Sequence, residues 1–83
     1  MGYHKTKIKR GTYGEFSKIK EEYQEFKDAY EQGDKILQLC ELSDLVGAID
    51  GYVKKWNMSI DDISDFSRKT RMAFEDGSRS EKS

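Results

Sequence analysis

Two acid-x-x-acid pairs flank a turn signal in EEYQEFKDAYEQGDKILQLCELSD, residues 21–44: Glu22 with Glu25, and Glu41 with Asp44. Residues three apart on a helix lie on neighbouring turns of one face, so each pair presents two carboxylates side by side. Four carboxylates on one spot repel and raise one another's pKa, unless a cation neutralises them. Carboxylate oxygens suit Mg²⁺, Mn²⁺ or Ca²⁺, whereas zinc favours His and Cys. The single histidine, His4, stands far upstream of both pairs. Four protein carboxylates exceed the one or two that Mg²⁺ usually takes, which hints at more than one ion, with phosphates and waters completing the shells. The competing reading is a solvated acidic face, with Glu22 or Glu25 paired to Lys18 or Lys20. Glu21 and Glu31 read as solvated acids.

The elements that would hold the pairs follow from periodicity. Proline is absent and apolar residues recur at helical spacing, so the expected fold class is all-α. A first helix over 15–31 carries a narrow seam of Phe16, Ile19, Tyr23, Phe26 and Tyr30. Gly33 suits its C-cap, and Asp34 suits the N-cap of a second helix over 35–56. That helix carries Leu39, Leu42, Leu45, Val46, Ile49, Tyr52, Val53 and Trp56 on an arc of about 140°. A third helix over 60–76 starts at Ser59, turns Ile60, Ile63, Phe66 and Phe74 inward, and stops at Gly77.

Folding the hairpin at Gly33 puts the acids level. Glu25 and Glu41 each lie eight residues from the turn, and Glu22 and Asp44 eleven. At ~1.5 Å per residue these are about 12 and 16–17 Å along the axes. Both pairs also border the apolar stripes, at the margin of an interhelical groove. Gly47 and Gly51 lie on a strip of the second helix adjoining Asp44, with Cys40 in line and Ala48 beside it. Each mid-helix glycine costs about 1 kcal/mol relative to Ala, so two of them imply a close approach by a helix or a ligand.

The 83 residues suffice for one small domain, expected over 15–77, between a basic arm (1–14) and a disordered tail (78–83). Only 35% of the chain is hydrophobic and 37% is charged. One copy therefore has little core, and an antiparallel hairpin plus a third helix is expected to complete a bundle as a homodimer or higher homo-oligomer. Cys40, the single cysteine, reads as a small core residue in a reducing compartment, and not as a nucleophile or zinc ligand. A net charge of −1 gives no global field for a nucleic acid polymer. No apolar run reaches membrane-spanning length, and the expected setting is cytoplasmic. The opening MGYHKT fits a myristoylation pattern short enough to arise by chance.

EEYQE followed by ELSD, with 15 residues between Glu25 and Glu41, resembles the Glu-x-x-Glu and Glu-x-x-Asp signature of MazG-like all-α nucleoside triphosphate pyrophosphohydrolases. The likeness is greatest to the short bacteriophage members. It extends through GEFSKIKEEYQEFKDA, LCELSDLVGAIDGYV and SRKTRMAFEDGSR, most of residues 14–79. The resemblance implies a helical oligomer that binds Mg²⁺, or Mn²⁺, through Glu22, Glu25, Glu41 and Asp44. It implies a catalytic role for the same four residues, in hydrolysis of a nucleoside triphosphate to a monophosphate and pyrophosphate. Lys69, Arg71 and Arg79 occupy the stretch that supplies phosphate-binding cations in such proteins. Many relatives carry Asn three residues after the Lys, where this chain has Met72. That departure keeps a non-catalytic nucleotide- or metal-binding module as the alternative. Tyr13, Phe16 and Trp56 are available as a wall for a base, with packing as their ordinary role.

Overall fold

The computed structural model describes residues 7–75, which form three α-helices and one short 3-10 turn. Helix α1 is Phe16–Gln32, α2 is Lys35–Val53 and α3 is Ile60–Glu75. Arg79, the Gly77 stop, the tail and the opening MGYHKT lie outside the described residues, as does the side chain of Phe74.

The hairpin between α1 and α2 is made by two residues with separate tasks. Gly33 takes the left-handed conformation, φ 72°. Its N–H donates to the Tyr30 carbonyl at 3.0 Å, and the Asp34 N–H donates to the Ala29 carbonyl at 3.3 Å, which satisfies the last carbonyls of α1. Asp34 then starts α2, its Oδ1 accepting from the Leu37 N–H at 2.9 Å. So short a connection leaves the chain no route but back along α1. The expected caps are the observed ones.

Helix α2 ends three residues earlier than its apolar periodicity predicts. Lys54–Trp56 tighten into a 3-10 turn, and Asn57 at φ 56° closes it by donating its N–H to the Lys54 carbonyl. Trp56 therefore leaves the helix, stacking edge-on against Tyr52 at 5.3 Å. Ser59 precedes α3 as expected, but its own N–H is held by Asp62 Oδ2 at 2.8 Å, the reciprocal half of a capping box. Asp50 Oδ1 accepts from the Ile60 N–H at 2.8 Å and pins the start of α3 to α2. Helix α3 packs on α2 and not on α1.

Packing divides the predicted stripes along their length. On α1, Ile19 and Phe26 are half-buried, while Phe16, Tyr23 and Tyr30 are exposed. The α2-facing side of α1 runs instead through Glu22, Phe26 and Ala29. On α2, Ala48 and Val53 are buried and Leu45, Ile49 and Tyr52 half-buried, but Leu39, Leu42 and Val46 are exposed, and so is Cys40, against the core position expected for it. On α3, Ile60 and Ile63 are half-buried and Phe66 is exposed, against the inward direction expected for it. Among the described residues the buried apolar core is Ala29, Ala48 and Val53, and no large side chain is fully buried. A single chain thus covers one edge of each apolar face and leaves the other edge open.

Residues 7–12 of the N-terminal arm carry no regular secondary structure, yet the arm is fastened to the hairpin. The Gly11 N–H donates to Glu21 Oε1 at 2.9 Å, and the Thr12 N–H to Ser17 Oγ at 3.0 Å. Tyr13 lies over Gly51, where a Cβ would overlap its ring. The close approach expected at the glycine strip is therefore made by the arm at Gly51, and not by a helix or a ligand. Gly47 faces open space.

Candidate metal centre

Glu22, Glu25, Glu41 and Asp44 meet between α1 and α2, one carboxylate oxygen from each lying within 4.8 Å of the other three. The cause is local and simple. The turn at Gly33–Asp34 sets equal heights, and a three-residue spacing within each pair puts both members on the facing side. Two oxygens on opposite sides of one Mg²⁺, Mn²⁺ or Ca²⁺ are separated by roughly 4–5 Å, so the four fit the coordination sphere of a single hard cation.

Burial is graded across the cluster. Glu22 and Glu41 are each 5% exposed, Glu25 is half-buried and Asp44 is open to solvent. Fully buried carboxylates are rare unless paired or bound to a metal. Oε1 of Glu22 is buried and accepts no hydrogen bond among the described residues. Its other oxygen, Oε2, is 3.0 Å from Lys18 Nζ. An orphan oxygen on a buried carboxylate, in an all-oxygen donor set, is what a divalent ion would satisfy.

The electrostatics of the cluster agree. Burial, a hydrogen bond shared with Glu41, and the like charges of Glu22 and Glu41 push the Glu25 carboxyl up to about 8. With no metal bound, Glu25 is therefore largely protonated at neutral pH, and the proton relieves part of the repulsion.

Glu21 is not the solvated acid the sequence suggests. It is half-buried, and Oε1 takes both the Gly11 N–H and Lys18 Nζ, the latter at 3.1 Å. Burial alone would raise its carboxyl, but these two donors outweigh it and hold the pKa below the usual range. Lys18 is raised in turn, by Glu22 first and Glu21 second. The surface-pair alternative for Glu22 is thus half right: Lys18 is its partner, in a buried setting. Asp28 is also buried, and accepts from Gln32 Nε2 at 2.9 Å. Its i,i+4 spacing to Gln32 was the available signal.

The cationic candidates are placed elsewhere. Lys69 lines an open hollow of about 310 Å³ with Asn57, Met58, Asp62, Asp65 and Phe66. Arg71 is exposed and sits 3.9 Å from Glu75. Helix α3, which carries both, packs on α2 and makes no contact with α1, the helix of Glu22 and Glu25. Of the aromatic candidates, Tyr13 covers Gly51 and Phe16 is exposed beside Lys20 and Gln24. Trp56 is twelve residues beyond Asp44, roughly 18 Å along the axis.

Among known proteins, no family model, no curated protein and no solved structure matches the chain. Among the described residues no helix is long and apolar enough to cross a membrane.

Proposed function

We propose that this chain is a Mg²⁺-dependent nucleotide pyrophosphohydrolase of MazG-like type, which converts a nucleoside triphosphate to a monophosphate and pyrophosphate. The observation that carries the reading is the convergence of four carboxylate oxygens within 4.8 Å across the hairpin. Glu22, Glu25, Glu41 and Asp44 would hold the divalent ion, Mg²⁺ or Mn²⁺. When bound, such an ion neutralises phosphate oxygens and lowers the pKa of water. Glu22 and Glu41, rigid between the helices, fix the deep side of the site. Asp44 faces solvent, the side from which a triphosphate would enter.

The working unit in this reading is a homodimer or higher oligomer. Phe16, Tyr23, Tyr30, Leu39, Leu42 and Val46 are exposed on the two long helices, and among the described residues a buried apolar core of Ala29, Ala48 and Val53 is slight for three helices. A second copy laid on these edges would complete a bundle, and would be the source of cations such as Lys69 or Arg71 for the phosphates. The test is pyrophosphate release from a panel of ribo- and deoxyribonucleoside triphosphates with Mg²⁺, wild type against Glu41→Ala. Absence of turnover for every nucleotide defeats the enzyme reading.

The placement of Lys69 and Arg71 away from the acids, with Met72 exposed beside them, favours a second reading: a metal- or nucleotide-binding module without turnover. Calorimetry separates the two, since this reading requires nucleotide binding with no product formed.

A further inference from the structure

We propose that Lys18 is a resident cation of the acidic centre: it offsets the negative charge there when no metal is bound and competes with a divalent ion for the site. This rests on the metal-centre reading and extends it to what sets the ion's affinity. Lys18 Nζ bridges Glu22 Oε2 at 3.0 Å and Glu21 Oε1 at 3.1 Å. Glu21 is itself fastened by the Gly11 N–H, so arm, Glu21, Lys18 and Glu22 form one chain of contacts ending at the site.

An exposed i,i+4 pair would carry no such weight. Here the Glu22 side chain is 7% exposed, and its second oxygen has no hydrogen-bond partner among the described residues. A buried carboxylate deprived of its partner is strongly destabilising, so stability of the metal-free fold depends on Lys18. The same charge opposes an incoming cation. An ion on Oε1 of Glu22 would stand roughly 5–6 Å from Nζ, and repulsion of a divalent ion at that distance, even screened as in bulk water, weakens binding about tenfold.

Loss of a partner that orients a ligand acts the other way, typically lowering affinity about ten- to a hundredfold. That effect is small for Glu22, because packing between α1 and α2 leaves the residue 5% exposed and holds it in place without the lysine. The charge term therefore decides the sign.

The experiment counts free Mn²⁺ by electron paramagnetic resonance during titration of wild type, Lys18→Gln, Lys18→Met, Lys18→Arg and Glu41→Gln, with thermal melts at zero and saturating Mn²⁺. Lys18→Gln keeps a donor for Glu22 without the charge and carries the test should Lys18→Met fail to fold. The expected result is about tenfold tighter Mn²⁺ binding by Lys18→Gln, with a lower Tm in the absence of metal and a gap that closes at saturation. Lys18→Arg stays near wild type. Binding by Lys18→Gln within twofold of wild type, or weaker, overturns the proposal while wild-type binding and its loss in Glu41→Gln leave the metal centre standing. If wild type binds no Mn²⁺, the metal-centre reading falls and this one with it.

Discussion

Metal binding at this centre should release a proton, and its affinity should climb with pH through a defined window. Glu25 is pushed up to about 8 with no metal bound, because it is partly buried, hydrogen-bonded to Glu41 and faced by two like charges. An ion that takes Glu25 as a ligand must displace that proton. Each pH unit below the raised pKa then weakens apparent binding about tenfold. Between pH 6 and 8 the apparent Kd should fall roughly fiftyfold, and between pH 8 and 9 by less than about twofold. At pH 7 close to one proton leaves per ion. Mn²⁺ calorimetry in two buffers of different ionisation enthalpy, repeated at pH 6, 7, 8 and 9, reads both quantities. A change of less than threefold from pH 6 to 8, with no proton released, would refute the coupling between burial, like charge and metal affinity.

The same shift predicts a stability effect without metal. A carboxyl whose folded pKa lies above its ordinary 4.5 contributes stability that is fully present below about 4.5, falls progressively as pH rises, and is lost by about 8. Glu25→Gln, a neutral mimic of the protonated form, should therefore melt higher than wild type above about pH 5, with the gap widening to its full size at about pH 8, and abolish stabilisation by Mg²⁺. The expected gain is on the order of 2–3 kcal/mol once the shift is discounted for partial exposure, read by denaturant titration at pH 6 and 9. Asp34→Ala removes the acceptor of the Leu37 N–H and should cost about 1 kcal/mol, with Mn²⁺ affinity retained in the folded fraction. Light scattering at micromolar concentration should give at least a dimer mass for wild type. Tyr23→Lys with Val46→Lys, both on exposed apolar edges, should shift it toward monomer; a monomeric wild type removes the oligomer from the proposal.

What was legible in the sequence had a local cause. Gly33 and Asp34 specify one turn between them, and once the turn is fixed, counting residues to Glu25 and Glu41 fixes their heights. The cluster follows from arithmetic on a rigid repeat. The helix end at Val53 was not legible, because apolar spacing continues to Trp56 while the stop depends on Asn57 adopting a positive φ. The arm has no periodicity to read. Its attachment to Glu21, and its ring over Gly51, depend on contacts 10 and 38 residues apart in sequence. Hence Glu21, identical in type to its neighbour Glu22, reads as a surface acid from spacing alone.

The stripes show a different limit. Spacing says that Phe16, Tyr23 and Tyr30 lie on one side of α1, but not whether this chain or another body covers them. Within one chain, α2 takes the edge through Glu22, Phe26 and Ala29, so the helix spends its closest contact on an acid and an alanine. A hydrophobic core optimised for one copy would put Tyr23 or Tyr30 there instead. Placing carboxylates at the tightest contact and aromatics at the rim weakens the isolated hairpin, since buried like charges oppose folding and exposed rings contribute little. In the proposed function both costs would be relieved from outside the chain, the first by a cation and the second by an apolar partner. Ion binding and association should for that reason reinforce each other: a dimer that rigidifies α1 against α2 lowers the cost of ordering the four oxygens, and a bound ion lowers the cost of holding the helices together.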